Sequence, residues 1–92
     1  RKIYVGKITN YYKKIRIAEL FPEANTVKVN DEIMIIGPTT GVIQSTVTEI
    51  RVDDKNVEES PRKFKCSIPI SRLVRPSDKL YKVIDASKIQ TQ

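Results

Sequence analysis

The chain has 92 residues and a net charge of +6, with 17 lysine and arginine residues against 11 aspartate and glutamate residues. This length suits one domain, and the longest wholly apolar run, 33–36, is far too short for a membrane span. The absence of histidine and the single cysteine exclude the most common general base, a thiolate zinc site and an internal disulfide. We therefore expect a cytoplasmic domain without a membrane span, metal or cofactor.

Short apolar runs, rich in isoleucine and valine, alternate along the chain with turn residues. They predict six or seven β-strands, with the runs at 3–9, 14–20, 32–37, 42–52, 64–70 and 79–84. No segment keeps a helical spacing of apolar residues over three turns, so the pattern indicates an all-β fold, a small closed or nearly closed barrel. We expect a single domain over 1–92, cut from a longer protein, with a core at 3–84 and a tail at 85–92.

Two sequence features refine the strand prediction in the middle of the chain. Asn30 precedes a strongly apolar strand, and asparagine tolerates the left-handed backbone that a tight turn there requires. In 42–52, the apolar side chains occupy odd positions up to Val47 and even positions from Ile50 onward. A β-bulge at 48–49 would restore a single inward face, so we expect one bent strand.

The lone cysteine lies in a regularly alternating segment. Phe64, Cys66, Ile68 and Ile70 fall on one face of the predicted strand and are expected to enter the core. Pro69 cannot donate a ladder hydrogen bond, so this strand should be an edge or end early. Cys66 is therefore expected to be a packing residue rather than a nucleophile.

Other candidate chemical groups favour structural roles. The acid pairs at 53–54 and 58–59 occupy adjacent positions, which point to opposite faces of a strand and do not make an acid/base couple. We expect them to be solvated turn residues. The stretch GPTTG at 37–41 lacks the Gly-Lys-Ser/Thr ending of a phosphate loop and predicts a hairpin turn. The chain alone is therefore not expected to be an enzyme.

Basic residues are concentrated toward the two ends of the predicted core. Residues 1–18 contain six bases and no acid, 61–82 contain seven bases and one acid, and 19–60 contain nine acids and three bases. If the first and last strands pair, their charges form one positive face. RNA would be bound there by tyrosine stacking and phosphate neutralisation. The candidate residues are Tyr11, Tyr12, Lys13, Lys14, Arg16, Arg62, Lys63, Lys65, Arg72 and Arg75. For this, 11–16 must lie beside 62–75.

Two apolar strands suggest an alternative function, the binding of another protein surface. The runs at 3–8 and 33–36 are apolar on both faces, whereas a barrel has one interior. Their outer side chains must be covered by long side chains of the domain or by another protein surface. This favours a protein-interaction or architectural module, which docks on a catalytic domain or a dimer partner or binds a protease substrate. The tyrosines would then pack at a rim, and the lysines would be solvated.

Several motifs occur in an order that is known from other proteins. They are YVGKIT, NYYKKIRIAEL, KVNDEIMIIGPTTGV and VRPSDKLYKV. The first, third and fourth, together with VDDKNVEES at 52–60, resemble domain two of the translation GTPases, such as elongation factor Tu, which is a β-barrel. NYYKKIRIAEL, IIGPTTGV and SDKLYKV resemble more closely the C-terminal barrel of the collagenase-like peptidase family of unknown catalytic type, and the resemblance covers residues 3–84. The sequence departs from the pattern at Asn30 and Ser77, where glycine is common, and at 60–64, where SPRKF replaces a Gly-Asp turn.

The resemblance implies an accessory β-barrel of the translation-protein type. The catalytic region of the family is an upstream α/β barrel on the same polypeptide, and this chain contains none of it. Members are assigned to collagen degradation or to uridine hydroxylation in RNA, so the parent protein would be a peptidase or an RNA-modifying enzyme. The barrel would assist its substrate binding, with transfer or ribosomal RNA as the partner.

Overall fold

The computed structural model describes residues 1–84, which form one antiparallel sheet of eight strands. The strands are β1 (Lys2–Tyr12), β2 (Ile17–Pro22), β3 (Glu32–Gly37), β4 (Gly41–Thr46), β5 (Ile50–Val52), β6 (Lys55–Val57), β7 (Cys66–Pro69) and β8 (Lys79–Val83). Their order across the sheet is β4-β3-β8-β1-β2-β7-β5-β6. The all-β prediction is confirmed. Within 1–84 no helix is long and apolar enough to cross a membrane.

The closed barrel is not confirmed. β4 and β6 stand at the two ends of the sheet, and within 1–84 no ladder joins them. The sheet nevertheless curls, because Ile43 of β4 and Ile50 of β5 belong to the same buried apolar cluster as Leu20 of β2. The six predicted runs became eight strands because the run at 42–52 contributes β4 and β5, and because β6 lies outside every predicted run.

β1 is the longest strand and lies between β8 and β2, so the first and last strands pair as the charge argument required. Its register shifts once against β8 and once against β2, which bends the strand. The predicted strand runs at 3–9 and 14–20 placed the turn between them too early: residues 10–12 extend β1, and the chain reverses at 13–16 instead. At the start of β1, the Ile84 N–H donates to the Arg1 carbonyl at 2.8 Å, so residues 1 and 84 are neighbours.

The single bent strand expected at 42–52 was also wrong. β4 ends at Thr46, and β5 begins at Ile50 on the far side of the sheet order. Between them, Val47 is buried and its N–H donates to the Asp31 carbonyl at 2.9 Å. The change from odd to even apolar positions therefore marks the passage of the chain between two separate strands rather than a bulge.

Two turns with left-handed backbone precede β3 and β8. Asn30 has φ 80° and Ser77 has φ 77°, so the expectation for Asn30 is confirmed. In both turns the following aspartate, Asp31 or Asp78, accepts a hydrogen bond from the backbone N–H three residues earlier, at 2.8 and 2.9 Å. Asn30 and Ser77 therefore stand at positions whose left-handed backbone glycine would adopt without steric cost.

The alternation around the cysteine is only partly as expected. Cys66, Ile68 and Ile70 are buried, and β7 ends at Pro69, as predicted. Phe64 was placed wrongly: it lies in the turn before β7, and its side chain is 47% exposed. A turn residue does not continue the two-residue period of the strand that follows it, so Phe64 points away from the core.

Cys66 should react slowly with thiol reagents in the folded domain. Burial, together with the charge of Glu19, raises the pKa of its thiol from 9.0 to about 12. Because each pKa unit changes the thiolate fraction tenfold, ionisation alone should slow labelling at mildly alkaline pH by about a thousandfold relative to the unfolded chain. Labelling with a chromogenic disulfide, with and without concentrated urea, measures the ratio. Equal rates in the two conditions would contradict the buried position.

The same pKa difference makes the stability of the folded domain depend on pH. The unfolded thiol ionises first, so its contribution is complete below about pH 9 and is lost as the pH rises toward 12. Burial and the hydrogen bond to Glu23 also raise the pKa of Tyr4 to about 12, which acts in the same direction. Urea midpoints should therefore fall above pH 9, and less steeply in Cys66→Ala.

Candidate nucleic-acid interface and the adjoining groove

The second half of β1 is flanked by a non-strand segment that brings basic residues beside it. The β1–β8 ladder ends at Lys7. Beyond it, the backbone of Ile8 both donates to and accepts from the segment 70–79, at 2.8 Å in each case. Farther along, the Tyr11 hydroxyl donates to the Ile70 carbonyl at 2.8 Å. Residues 7–16 and 70–79 therefore lie side by side.

These two segments carry seven basic side chains, all of them exposed, which we call the basic edge. Its members are Lys7, Lys13, Lys14, Arg16, Arg72, Arg75 and Lys79. The one acid in the two segments, Asp78, is 3% exposed, and its carboxylate accepts hydrogen bonds from the Thr40 hydroxyl and the Arg75 N–H. Its charge is thus held inside the domain, while the seven cations face solvent. Such an arrangement concentrates positive potential along one side of the protein.

The structure brings together seven of the ten candidate residues. Lys13, Lys14 and Arg16 form the turn between β1 and β2, and Arg72 and Arg75 lie in the flanking segment. Of the tyrosines, Tyr12 is 43% exposed at the end of β1. Tyr11 is half-buried, and its hydroxyl is already bonded, so its ring is the less available of the two.

The other three candidates, Arg62, Lys63 and Lys65, lie elsewhere. The Lys63 N–H donates to the carbonyl of Pro22, at the end of β2 opposite to the β1–β2 turn. The Lys65 ammonium is 3.7 Å from a carboxylate oxygen of Glu19. The 11–16 segment thus lies beside the 70–75 part of the basic block and not beside 62–65.

Sequence reasoning did not select Lys7 and Lys79 for this surface. Both are exposed, and they stand directly opposite each other in the β1–β8 ladder. Like charges in that arrangement repel, which is unfavourable for folding and makes a bound anion favourable there. The available signal was the expected pairing of the first and last strands, which places outward lysines of the two strands together.

A groove of about 990 Å³ runs over the outer face of β2, β7 and β5. Its exposed or half-buried apolar lining residues are Tyr12, Ile15, Ile17, Phe21, Phe64 and Pro69, and its charged ones are Glu19, Glu49, Arg51, Asp53, Asp54, Lys63 and Lys65. The groove was not predicted from the sequence, because its lining residues come from several strands and from the separate turns beside them. A partial signal was present in β2, where outward Ile17 and Phe21 alternate with inward Ala18 and Leu20.

Two of the remaining motifs, GPTTG and the acid pair at 53–54, have the structural roles expected of them, whereas Glu59 of the pair at 58–59 forms an isolated β-bridge with Lys28 instead of a turn. GPTTG closes the β3–β4 hairpin, in which Gly37 pairs with Gly41. Asp53 and Asp54 form the turn between β5 and β6, and both are exposed. Within 1–84 no group of three or more acidic, cysteine or histidine side chains is placed to hold a metal ion.

Several known proteins contain a segment that is similar in sequence to this chain. It is 46% identical over 82 residues to a collagenase of Porphyromonas gingivalis strain W83, and 35% identical over 81 residues to an uncharacterized protease of Methanocaldococcus jannaschii. The chain is a homologue of one part of these collagenase-like proteins. The two matches cover 89% and 88% of this chain but 20% of each relative, so the chain spans about a fifth of their length. The resemblance to the collagenase-like family, expected from the motifs, is confirmed.

Solved structures show the same fold. The C-terminal domain of a Geobacillus thermoleovorans protein described as a U32 peptidase matches with a TM-score of 0.83, at 17% identity, over 88% of this chain and 92% of that one. The selenomethionine variant of that domain matches with a TM-score of 0.80, at 16% identity, over 85% and 96% of the two chains. No protein-family model matches this chain.

Proposed function

We propose that the chain is a non-catalytic accessory domain of a collagenase-like protein and that it binds RNA for a catalytic region of the same polypeptide. The relatives are about five times as long as the matched segment, which leaves room for such a region. The chain itself has no histidine, and its one cysteine is buried with a raised pKa. These properties give it little capacity for nucleophilic or acid/base catalysis.

The basic edge is the observation that carries the RNA proposal. Seven exposed cations follow two adjacent segments whose only acid is buried. The nearest acid on β2, Glu19, is bonded by the Thr9 hydroxyl and faces Lys65. A phosphate backbone laid along the edge would release counterions at each Lys or Arg that it contacts, which is the main source of non-specific affinity for nucleic acids.

Tyr12 offers a second kind of contact at the end of the edge. Its ring is 43% exposed, and its hydroxyl accepts a hydrogen bond from the Asn10 side chain at 3.3 Å. That bond orients the ring, which can stack on an unpaired base for about 1–3 kcal/mol. The interface is small, so the isolated domain should bind weakly and with little sequence preference.

Titration with a single-stranded RNA and a transfer RNA at two salt concentrations tests the proposal. Lys13→Glu together with Lys14→Glu should weaken binding at low salt about tenfold or more. Since each phosphate contact contributes about 0.7 to the slope of log affinity against log salt for single strands, the slope should fall by about 1 or more.

The matched control is Lys28→Glu with Lys55→Glu, which lowers the net charge equally at exposed positions outside the basic edge. This control should retain most of the affinity. Absence of binding at low salt, or equal losses in the two double variants, would refute RNA binding at this edge.

A further inference from the structure

Exposed apolar side chains are concentrated at the groove. Five large apolar residues of 1–84 are strongly exposed: Tyr12, Ile15, Val42, Phe64 and Leu73. Three of them, Tyr12, Ile15 and Phe64, line the groove, and Ile15 is 68% exposed. Isolated apolar residues on a surface are ordinary, whereas several around one concavity mark an interaction site.

The groove has the length of a short extended chain. Ile15 comes from the turn before β2, and Phe64 follows Lys63, whose N–H contacts Pro22 at the end of β2. Ile17 and Phe21 lie between them on the outer face of the strand. The six residues of β2 at about 3.3 Å each give the groove a length of about 20 Å, which matches an extended polypeptide of about six residues.

The charges in the groove differ in sign from those of the domain as a whole. Its lining holds four acids and three bases, although the chain carries +6. Two of the bases are already paired: the Arg51 Nε is 2.5 Å from Glu49, and Lys65 faces Glu19. Asp53 and Asp54 make no ion pair with any residue of 1–84. Phosphate groups are disfavoured beside such carboxylates, whereas a lysine or arginine is favoured.

We propose that this groove binds an extended polypeptide segment that carries apolar side chains and at least one lysine or arginine. The apolar side chains cover Ile15, Ile17, Phe21 and Phe64, and the basic side chain lies against Asp53 and Asp54. The groove is thus a protein-binding surface, separate from the basic edge and in contact with it at Tyr12. The proposal does not depend on RNA binding.

The turn that holds the two aspartates allows a clean test. Asp53 and Asp54 have φ 50° and 65°, in the left-handed region. Asparagine tolerates this region as well as aspartate does, so Asp53→Asn with Asp54→Asn removes both charges and keeps the turn. Phe64→Ser removes an exposed aromatic ring at a turn, with little risk to folding. Leu73→Ser is its matched control, since Leu73 is also 47% exposed but lies outside the groove.

The experiment selects a library of random nine-residue peptides on the immobilised chain and measures the enriched peptides on each variant. We expect enrichment of peptides with apolar residues and a lysine or arginine. Their affinity should fall about tenfold or more in Phe64→Ser, about fivefold in the double asparagine variant, and less than twofold in Leu73→Ser. In the Lys13→Glu, Lys14→Glu variant it should not fall, since added acids beside Ile15 do not repel a basic peptide, and this separates the outcome from that of the RNA test.

Three results would overturn the proposal: no enrichment over an unrelated domain, enriched peptides that are acidic, or equal losses in Phe64→Ser and Leu73→Ser. Protection of the groove by RNA instead of peptide, seen as amide shifts in β2 and β7 on RNA titration, would assign the groove to nucleic acid and refute it as well.

Discussion

Gly6→Ala should destabilise the domain by about 3 kcal/mol, a large part of the roughly 5–14 kcal/mol expected for a domain of this size. A Cβ at this position would lie 1.9 Å from the backbone carbonyl oxygen of Phe21 and 3.1 Å from the backbone nitrogen of Glu23. A flexible side chain could yield, but here β1 and β2 themselves must separate and lose their ladder hydrogen bonds. Urea unfolding of the purified variant measures the loss.

Gly41→Ala is the natural control for this result. A Cβ at Gly41 meets nothing within 4 Å, although the residue has φ 78°. Only backbone strain, partly offset by a less flexible unfolded chain, acts there, so a loss of about 1 kcal/mol is expected. Similar losses at Gly6 and Gly41 would mean that the two strands do not approach as closely as described.

Asp78→Ala should cost about 2–3 kcal/mol, because it leaves the Arg75 N–H and the Thr40 hydroxyl without their acceptor. Gly37→Ala should cost about as much in the wild type, since its Cβ would overlap the Asp78 carboxylate, at 1.8 Å from one oxygen. In the Asp78→Ala background that obstacle is gone, and the same Gly37→Ala should cost less than about 1 kcal/mol.

The two substitutions therefore form a double-mutant cycle with a coupling of about 1.5 kcal/mol or more. Equilibrium unfolding of the four proteins gives the coupling directly. Asp78→Asn provides a milder comparison, since it keeps one acceptor oxygen in nearly the same volume. Additive losses would show that the Asp78 carboxylate does not rest on Gly37 in solution.

The sequence alone was enough to predict those elements whose pattern of apolar and turn residues allows only one structural interpretation. The alternation at Cys66, Ile68 and Ile70 determined a buried face, and the asparagine at position 30 indicated its turn. The change of phase after Val47 had two solutions, a bulge or a break between strands. Which one occurs depends on the distant pairing of Val47 with Asp31, and a local pattern contains no information about that partner.

The candidate surfaces were likewise predictable from the sequence only in part. Charge counts along the chain predicted that basic residues would gather beside β1. The β1–β8 pairing brings Lys79 there, and the 70–79 segment that continues along β1 brings Arg72 and Arg75. The charge counts could not show that Lys63 lies at the opposite end of β2 or that Lys65 faces Glu19 in the middle of that strand. The groove escaped prediction because Ile15, Asp53 and Phe64 stand on three separate turns, and only the folded sheet brings them to one concavity.

Residues 1 and 84 are neighbours, and this determines how the domain responds to a pulling force. Lys2 pairs with Val83, and each following residue of β1 pairs farther from the two ends. A force that pulls residues 1 and 84 apart thus loads the β1–β8 hydrogen bonds one after another, as in a zipper, instead of all together. The domain should open at low force, and β8 should detach from β1 before β2 or β7 is disturbed.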